Sequence, residues 1–209
     1  KVILDVYGDC SGSAFPSLAT ATPQIIVYNN GVSFDTMNLT LTGTGVEVTP
    51  VCASQINNTT CNGGTIPGIK KFSYQGNVTL SVGSANWVFM FTGTMGGPSN
   101  QAGRSASITN IAPGVSVMCL KATLNNTLAQ NSSVTYTTLP TPFFCINKPA
   151  QYNPGAVDPN NDSLSFALVP GLSTGGTVNY LSPYTATAPL ATAAGTFSTN
   201  SVTGQVSFT

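Results

Sequence analysis

Apolar and polar residues alternate in short runs along this chain, and Gly, Pro or Asn interrupts nearly every window of a dozen residues. A helix needs an apolar stripe repeating every 3.6 residues, whereas a half-buried strand needs a period of two. The second pattern recurs. It predicts strands at Val2 to Tyr7, Gln24 to Tyr28, Val32 to Phe34, Met37 to Thr42, Gly45 to Val51, Lys70 to Gln75, Asn77 to Val82 and Trp87 to Thr94. More follow at Ser105 to Ile111, Val115 to Leu124, Ser133 to Leu139, Ser163 to Val169, Thr177 to Tyr184, Gly195 to Ser198 and Gln205 to Thr209. Asn29-Asn30-Gly31 between two of these runs is a hairpin turn, because its central residues tolerate positive φ. Many short strands at close spacing predict an all-β chain of tandem β-sandwich modules, Ig-like or cadherin-like.

The segment Leu139-Pro140-Thr141-Pro142 divides the chain, since two prolines two apart stiffen the backbone and bar a central strand. The expected domains are residues 1–140, long enough for a complete sandwich, and 141–209, short for a cadherin-like sandwich and therefore incomplete. Trp87, in the alternating run Asn86-Trp87-Val88-Phe89-Met90-Phe91, reads as a core residue of the first.

Composition narrows the function. Among 209 residues there are 6 Lys plus Arg, 6 Asp plus Glu and no His, so net charge is zero. No basic face exists to neutralise a row of phosphates, which excludes nucleic acid as a partner. Without His the commonest general base and zinc ligand are gone, and the carboxylates show no spacing that reads as an acid and base pair. Asp5 and Asp9, at one strand end, read as turn caps. The chain is expected not to be an enzyme. Solubility falls instead to 29 Thr, 21 Ser and 19 Asn around a β core with ten Phe, seven Tyr and one Trp. That surface is typical of extracellular and assembled β proteins.

Five cysteines, with neither a C-x-x-C pair nor His, predict disulfides rather than zinc. Cys52 and Cys61 flank one polar loop and are the expected pair, with at least one other thiol left free. The chain starts at Lys1 and has no run of 18 apolar residues, so it reads as a mature or excised segment with no membrane span of its own. In Asp158-Pro159-Asn160-Asn161-Asp162, oxygen side chains recur at alternate positions before a strand. This suits a hard cation, so Asp158, Asn160 and Asp162 are the candidate ligands for Ca2+, against the alternative of a solvated Asx turn. Asp35-Thr36-Met37 and Asp162-Ser163-Leu164 match a short O-glycosylation triplet of Bacteroidetes, which makes Thr36 and Ser163 candidate acceptors.

The order of several motifs carries a family resemblance. Val6-Tyr7-Gly8-Asp9-Cys10-Ser11-Gly12, Val48-Thr49-Pro50-Val51-Cys52, Thr60-Cys61-Asn62-Gly63-Gly64, Tyr74-Gln75-Gly76-Asn77-Val78 and Phe144-Cys145-Ile146-Asn147-Lys148-Pro149 occur in sequence, and Tyr152-Asn153-Pro154-Gly155-Ala156-Val157-Asp158-Pro159 opens the strongest stretch. The chain resembles the large gliding-motility-associated surface adhesins of Bacteroidetes, exported by the type IX secretion system. It departs from their pattern at Gly83-Ser84-Ala85 and Ala102-Gly103, where that family carries cysteines, and at Asn160-Asn161, where it carries Asp-Gly. The resemblance implies an extracellular, cell-surface location, a cadherin-like C-terminal module, and a noncatalytic role in surface attachment or gliding. The implied partners are neighbouring modules of the same polypeptide and surface glycans or other cell-surface components. Two alternatives stand beside it: a carbohydrate-binding module, and a filament subunit that self-assembles by strand exchange.

Overall fold

The computed structural model describes residues 1–97, 101–104, 108–112, 117–128, 131–140, 144–174, 176–193 and 195–209. The chain is all-β, its only helical pieces being short 3-10 turns among the described residues. It divides into two compact units: Lys1–Gly103 with Cys119–Thr127, and Arg104–Met118 with Leu128–Thr209.

The first unit is a sandwich of two antiparallel sheets. One is built from β1 (Val2–Asp9), β4 (Thr40–Leu41), β5 (Val46–Glu47) and β6 (Ile69–Gly76), with β6 pairing β1 on one side and β4 and β5 on the other. The other runs in the order β3 (Val32–Asn38), β2 (Gln24–Asn29), β7 (Trp87–Phe91), β8 (Leu120–Leu124). The β2–β3 hairpin closes as predicted, with Asn30 at φ 50° and Gly31 at φ 81°. Alternation along each strand sends Leu4, Phe72 and Tyr74 from the first sheet, and Ile25, Val27, Trp87 and Phe91 from the second, into one core. Trp87 meets Phe34 edge-on, ring centroids 4.8 Å apart. Its indole N–H donates to Asn126 Oδ1 at 3.1 Å, and the same oxygen accepts the Ser84 N–H at 2.7 Å. Burying a tryptophan requires such a partner.

The second unit has only short strands: β9 (Thr135–Tyr136), β10 (Ala150–Tyr152), β11 (Ala156–Val157), β12 (Leu172–Ser173), β13 (Gly176–Thr177), β14 (Ser198–Thr199) and β15 (Val206–Phe208). They pair as β10-β15-β14, β9-β11 and β12-β13. Arg104 ties the unit internally, its guanidinium donating to the carbonyls of Val117 and Leu172. Among the described residues its one buried hydrophobic side chain is Val178.

This division corrects the expected boundary at residue 140. Residues 135–138 belong to the second unit, because β9 pairs with β11 and the amides of Thr137 and Thr138 donate to the carbonyls of Gly155 and Pro154. Residues 104–118 belong there too, through the bridge of Ile111 to Tyr180 and the bond from Ala112 N to Asn179 O. Pro140 thus falls within one unit, and Pro142 lies outside the described residues. The predicted strand at Asn77 to Val82 forms no ladder, and part of the one from Ser105 lies outside the described residues.

Candidate functional site

In a chain so poor in charge, Asp5, Asp9, Glu47, Lys70 and Lys71 all fall on strands of the first sheet. The pleat sorts them. Alternation places Ile3, Asp5 and Tyr7 of β1 on the solvent face, and register sets them opposite Gln75, Ser73 and Lys71 of β6. Asp5 accepts from Lys71 Nζ at 2.7 Å on one oxygen and from Ser73 Oγ at 2.6 Å on the other. The hydrogen bond to Asp5 outweighs the cost of burying Lys71 and raises its ammonium above the ordinary lysine range. Tyr7 lies beside this pair with 37% of its surface exposed. The face therefore offers one aromatic ring next to hydroxyl, amide and a neutralised ion pair.

Glu47 and Lys70 are cross-strand partners one register step on, and so belong to the opposite side of the sheet. There the Glu47 carboxylate ties down the long loop between β5 and β6. One oxygen accepts from Thr59 Oγ1 at 2.6 Å and Thr49 Oγ1 at 2.9 Å, the other from Asn62 Nδ2 at 2.8 Å. Burial pushes this carboxyl up, but the three hydrogen bonds and the Lys70 charge together hold it below the ordinary carboxylate range. A group depressed on folding adds stability above its unfolded pKa and loses it as pH falls through the folded value. Glu47→Gln is therefore expected to lower Tm at neutral pH, and the gap from wild type to narrow as pH falls below the ordinary carboxylate pKa of about 4.3 toward pH 3. Thermal melts at the two pH values check this.

The same loop carries the disulfide, and the expected pairing is corrected. Cys61 bonds to Cys10, Cα atoms 5.0 Å apart, while Cys52 and Cys145 are exposed thiols. The register is the reason. β1 runs out against β6 at Asp9 opposite Ile69, and the Cys10 amide continues the ladder onto Gly68 O at 2.9 Å. Thr60 Oγ1 accepts the Gly68 N–H at 2.9 Å, which seats the 3-10 turn Thr60–Asn62 against the end of β1. A Cβ at position 68 would come within 2.6 Å of Cys61 Sγ, so glycine makes room for the bridge. Cys52 instead precedes the 3-10 turn Ala53–Asn58.

The acidic turn of the second unit is organised around Asp158, only 8% exposed. Its Oδ1 accepts the amides of Asn160 at 2.7 Å and Asp162 at 3.2 Å, and Asn161 completes the turn at φ 63°. Asn160 Oδ1 accepts the Ser132 amide at 2.8 Å. Two of the oxygens expected to bind calcium, Asp158 Oδ1 and Asn160 Oδ1, thus accept backbone amides, as an Asx turn requires. Asp158→Ala is expected to destabilise by about 1–2 kcal/mol through the orphaned amides, equally in calcium and in chelator. A calcium-raised Tm abolished by Asp162→Asn would instead establish the metal. Among the described residues no group of three or more His, Cys, Asp or Glu is placed to hold a metal ion.

The two candidate glycan acceptors are both exposed, Thr36 on the edge strand β3 and Ser163 just after the acidic turn. No arrangement of nucleophile and base emerges among the described residues. Burial pushes the Tyr74 phenol up to about 12, and it donates to Leu18 O, so it is a core hydrogen bond rather than a base. A shallow groove of about 450 Å³ lined by Pro183, Tyr184, Leu190 and Phe197 contains no charged side chain. No helix among the described residues is long and apolar enough to cross a membrane.

No protein-family profile, no curated protein and no solved structure matches this chain. The chemistry of its own residues carries the functional argument. Sequence reasoning missed Cys10 as a bridge partner, Glu47 as an anchor and Asn126 as the acceptor for Trp87. Each acts across a long stretch of chain, and the one available signal was Cys10 at the end of a predicted strand.

Proposed function

We propose that this chain is a noncatalytic structural and adhesive module of a large secreted cell-surface protein, taking part in surface attachment or gliding. The observation that carries the reading is how the polar side chains are engaged. Asp5 and Lys71 neutralise each other, Glu47 anchors a loop, Arg104 binds carbonyls and Asp158 caps a turn, so among the described residues these charged groups serve the fold rather than a cleft. A disulfide and a hydroxyl-rich, nearly uncharged surface suit an oxidising, extracellular setting. Neighbouring modules and cell-surface glycans are its partners in this reading.

The carbohydrate-binding alternative is favoured by one observation, the exposed Tyr7 ring beside Asp5, Lys71, Ser73 and Gln75. A sugar ring stacks on an aromatic face while its hydroxyls bond to flanking polar groups. Two measurements separate the readings. Incubation with polysaccharides and esters is expected to give no turnover, and turnover lost in Asp9→Ala or Asp158→Ala would overturn the noncatalytic reading. A printed glycan array is expected to give no signal that depends on Tyr7; a spot lost in Tyr7→Ala would move the assignment to a carbohydrate-binding module.

A further inference from the structure

The segment Ser163 to Val169 has the alternation of a strand without its pairing. Its burial alternates, with Leu164, Phe166 and Leu168 turned toward the unit and Ser163, Ser165, Ala167 and Val169 exposed. Only one backbone hydrogen bond holds it among the described residues, from Phe166 N to Ser201 O at 2.9 Å. In extended backbone the N–H and C=O of a residue point to one side and those of its neighbours to the other. The Phe166 bond therefore assigns the 164, 166, 168 side to the unit and leaves the amides and carbonyls of Ser165 and Ala167 on an open edge. Repeating donors and acceptors on such an edge are matched by one kind of element, another strand.

The long edge strands of the first unit are guarded, and this segment is not. β1 carries Asp5 and Asp9, β8 carries Lys121, and on β3 the Asp35 carboxylate accepts the neighbouring Thr36 amide at 2.7 Å. Charges and self-capping of this kind are how proteins prevent edge pairing. Ser163 to Val169 holds no charge, no proline and no glycine. The unit that carries it also has Val178 as its one buried hydrophobic among the described residues. A free-standing unit of roughly 100 residues ordinarily removes about two thirds of its surface from water on folding.

We propose that Ser163 to Val169 is a pairing edge through which two copies of this chain associate, antiparallel and about a two-fold axis. In the register the open groups allow, Ser165 of each copy faces Ala167 of the other and exchanges both backbone hydrogen bonds, and Phe166 faces its counterpart. Leu164 then lies opposite Leu168, so the side chains turned toward each unit form one continuous apolar strip across the junction. The segment is uncharged and the chain has zero net charge, so the copies meet without repulsion.

Sedimentation equilibrium and light scattering of the full chain, from low micromolar to near-millimolar concentration, test this. The mass is expected to rise with concentration from 21.4 kDa toward twice that value and stop there. Ala167→Pro removes a donor that makes no intramolecular bond and keeps Phe166 extended. Ala167→Lys places a charge on the edge. Both are expected to stay at the mass of one chain with wild-type circular dichroism and Tm, while Thr36→Lys on β3 leaves the association intact. A single-chain mass for wild type at every concentration, growth beyond two chains, or association unchanged in both Ala167 variants that retain the wild-type melt would each overturn the proposal.

Discussion

Removing the Cys10–Cys61 bridge, by Cys10→Ser with Cys61→Ser, is expected to cost the first unit about 4 kcal/mol. The bond joins residues 51 positions apart, and a loop of that length holds much of the unfolded chain's freedom. It also fastens the loop after β5 to the end of β1. Without it, the Gly68 contacts and the Glu47 hydrogen bonds must hold the loop alone. Urea unfolding followed by the emission of the one Trp isolates the first unit, because Trp87 is in its core. Cys52→Ser is the control and is expected to leave the midpoint unchanged. A loss for Cys52→Ser as large as for the double variant would mean that Cys52 is a bridging partner after all. Peptide mapping without reduction should recover Cys10 and Cys61 on one linked fragment, with Cys52 open to alkylation.

Trp87→Ala is expected to cost about 3–5 kcal/mol, the range for deleting a large aromatic from a core that cannot collapse around the void. Trp87 is fully buried, packs against Phe34 and anchors β7 between β2 and β8. Asn126→Ala probes the polar half of the same site. It strands the indole N–H and the Ser84 amide together, and is expected to cost about 1–3 kcal/mol. Chemical denaturation followed by circular dichroism serves for both, since one variant lacks the fluorophore. A penalty below 1 kcal/mol for Trp87→Ala would mean that the two sheets are held by something other than this core.

What could be read from the sequence was local. The strands at Val2, Gln24, Lys70 and Trp87 follow from alternation, and Asn30-Gly31 follows from what a tight hairpin demands of φ. Trp87 as a core residue followed from its flanking pattern. Asp158 was singled out for its oxygens near a tight turn, and one of them accepts the turn's own amides. What escaped depended on contacts between distant segments. Cys10 reaches Cys61 because β1 is laid against β6, a pairing that no spacing within one loop announces. The boundary escaped for the same reason: proline marks a stiff backbone, but which unit a stiff segment belongs to is decided by partners such as Gly155 and Pro154.

The interleaving of the two units sets the order in which they can be completed on the ribosome. β8, the edge strand of the second sheet, is supplied by Cys119–Thr127, after Arg104–Met118 of the other unit has already been synthesised. The nascent chain must therefore carry residues 104–118 without their partners Leu172, Asn179 and Tyr180 while the first sandwich closes behind them. At about 5–20 residues per second that wait lasts seconds, long compared with the formation of a hairpin. Nor can one cut in the chain separate the two units and leave both whole. Duplication or transplantation by recombination therefore keeps both units intact only when they travel together.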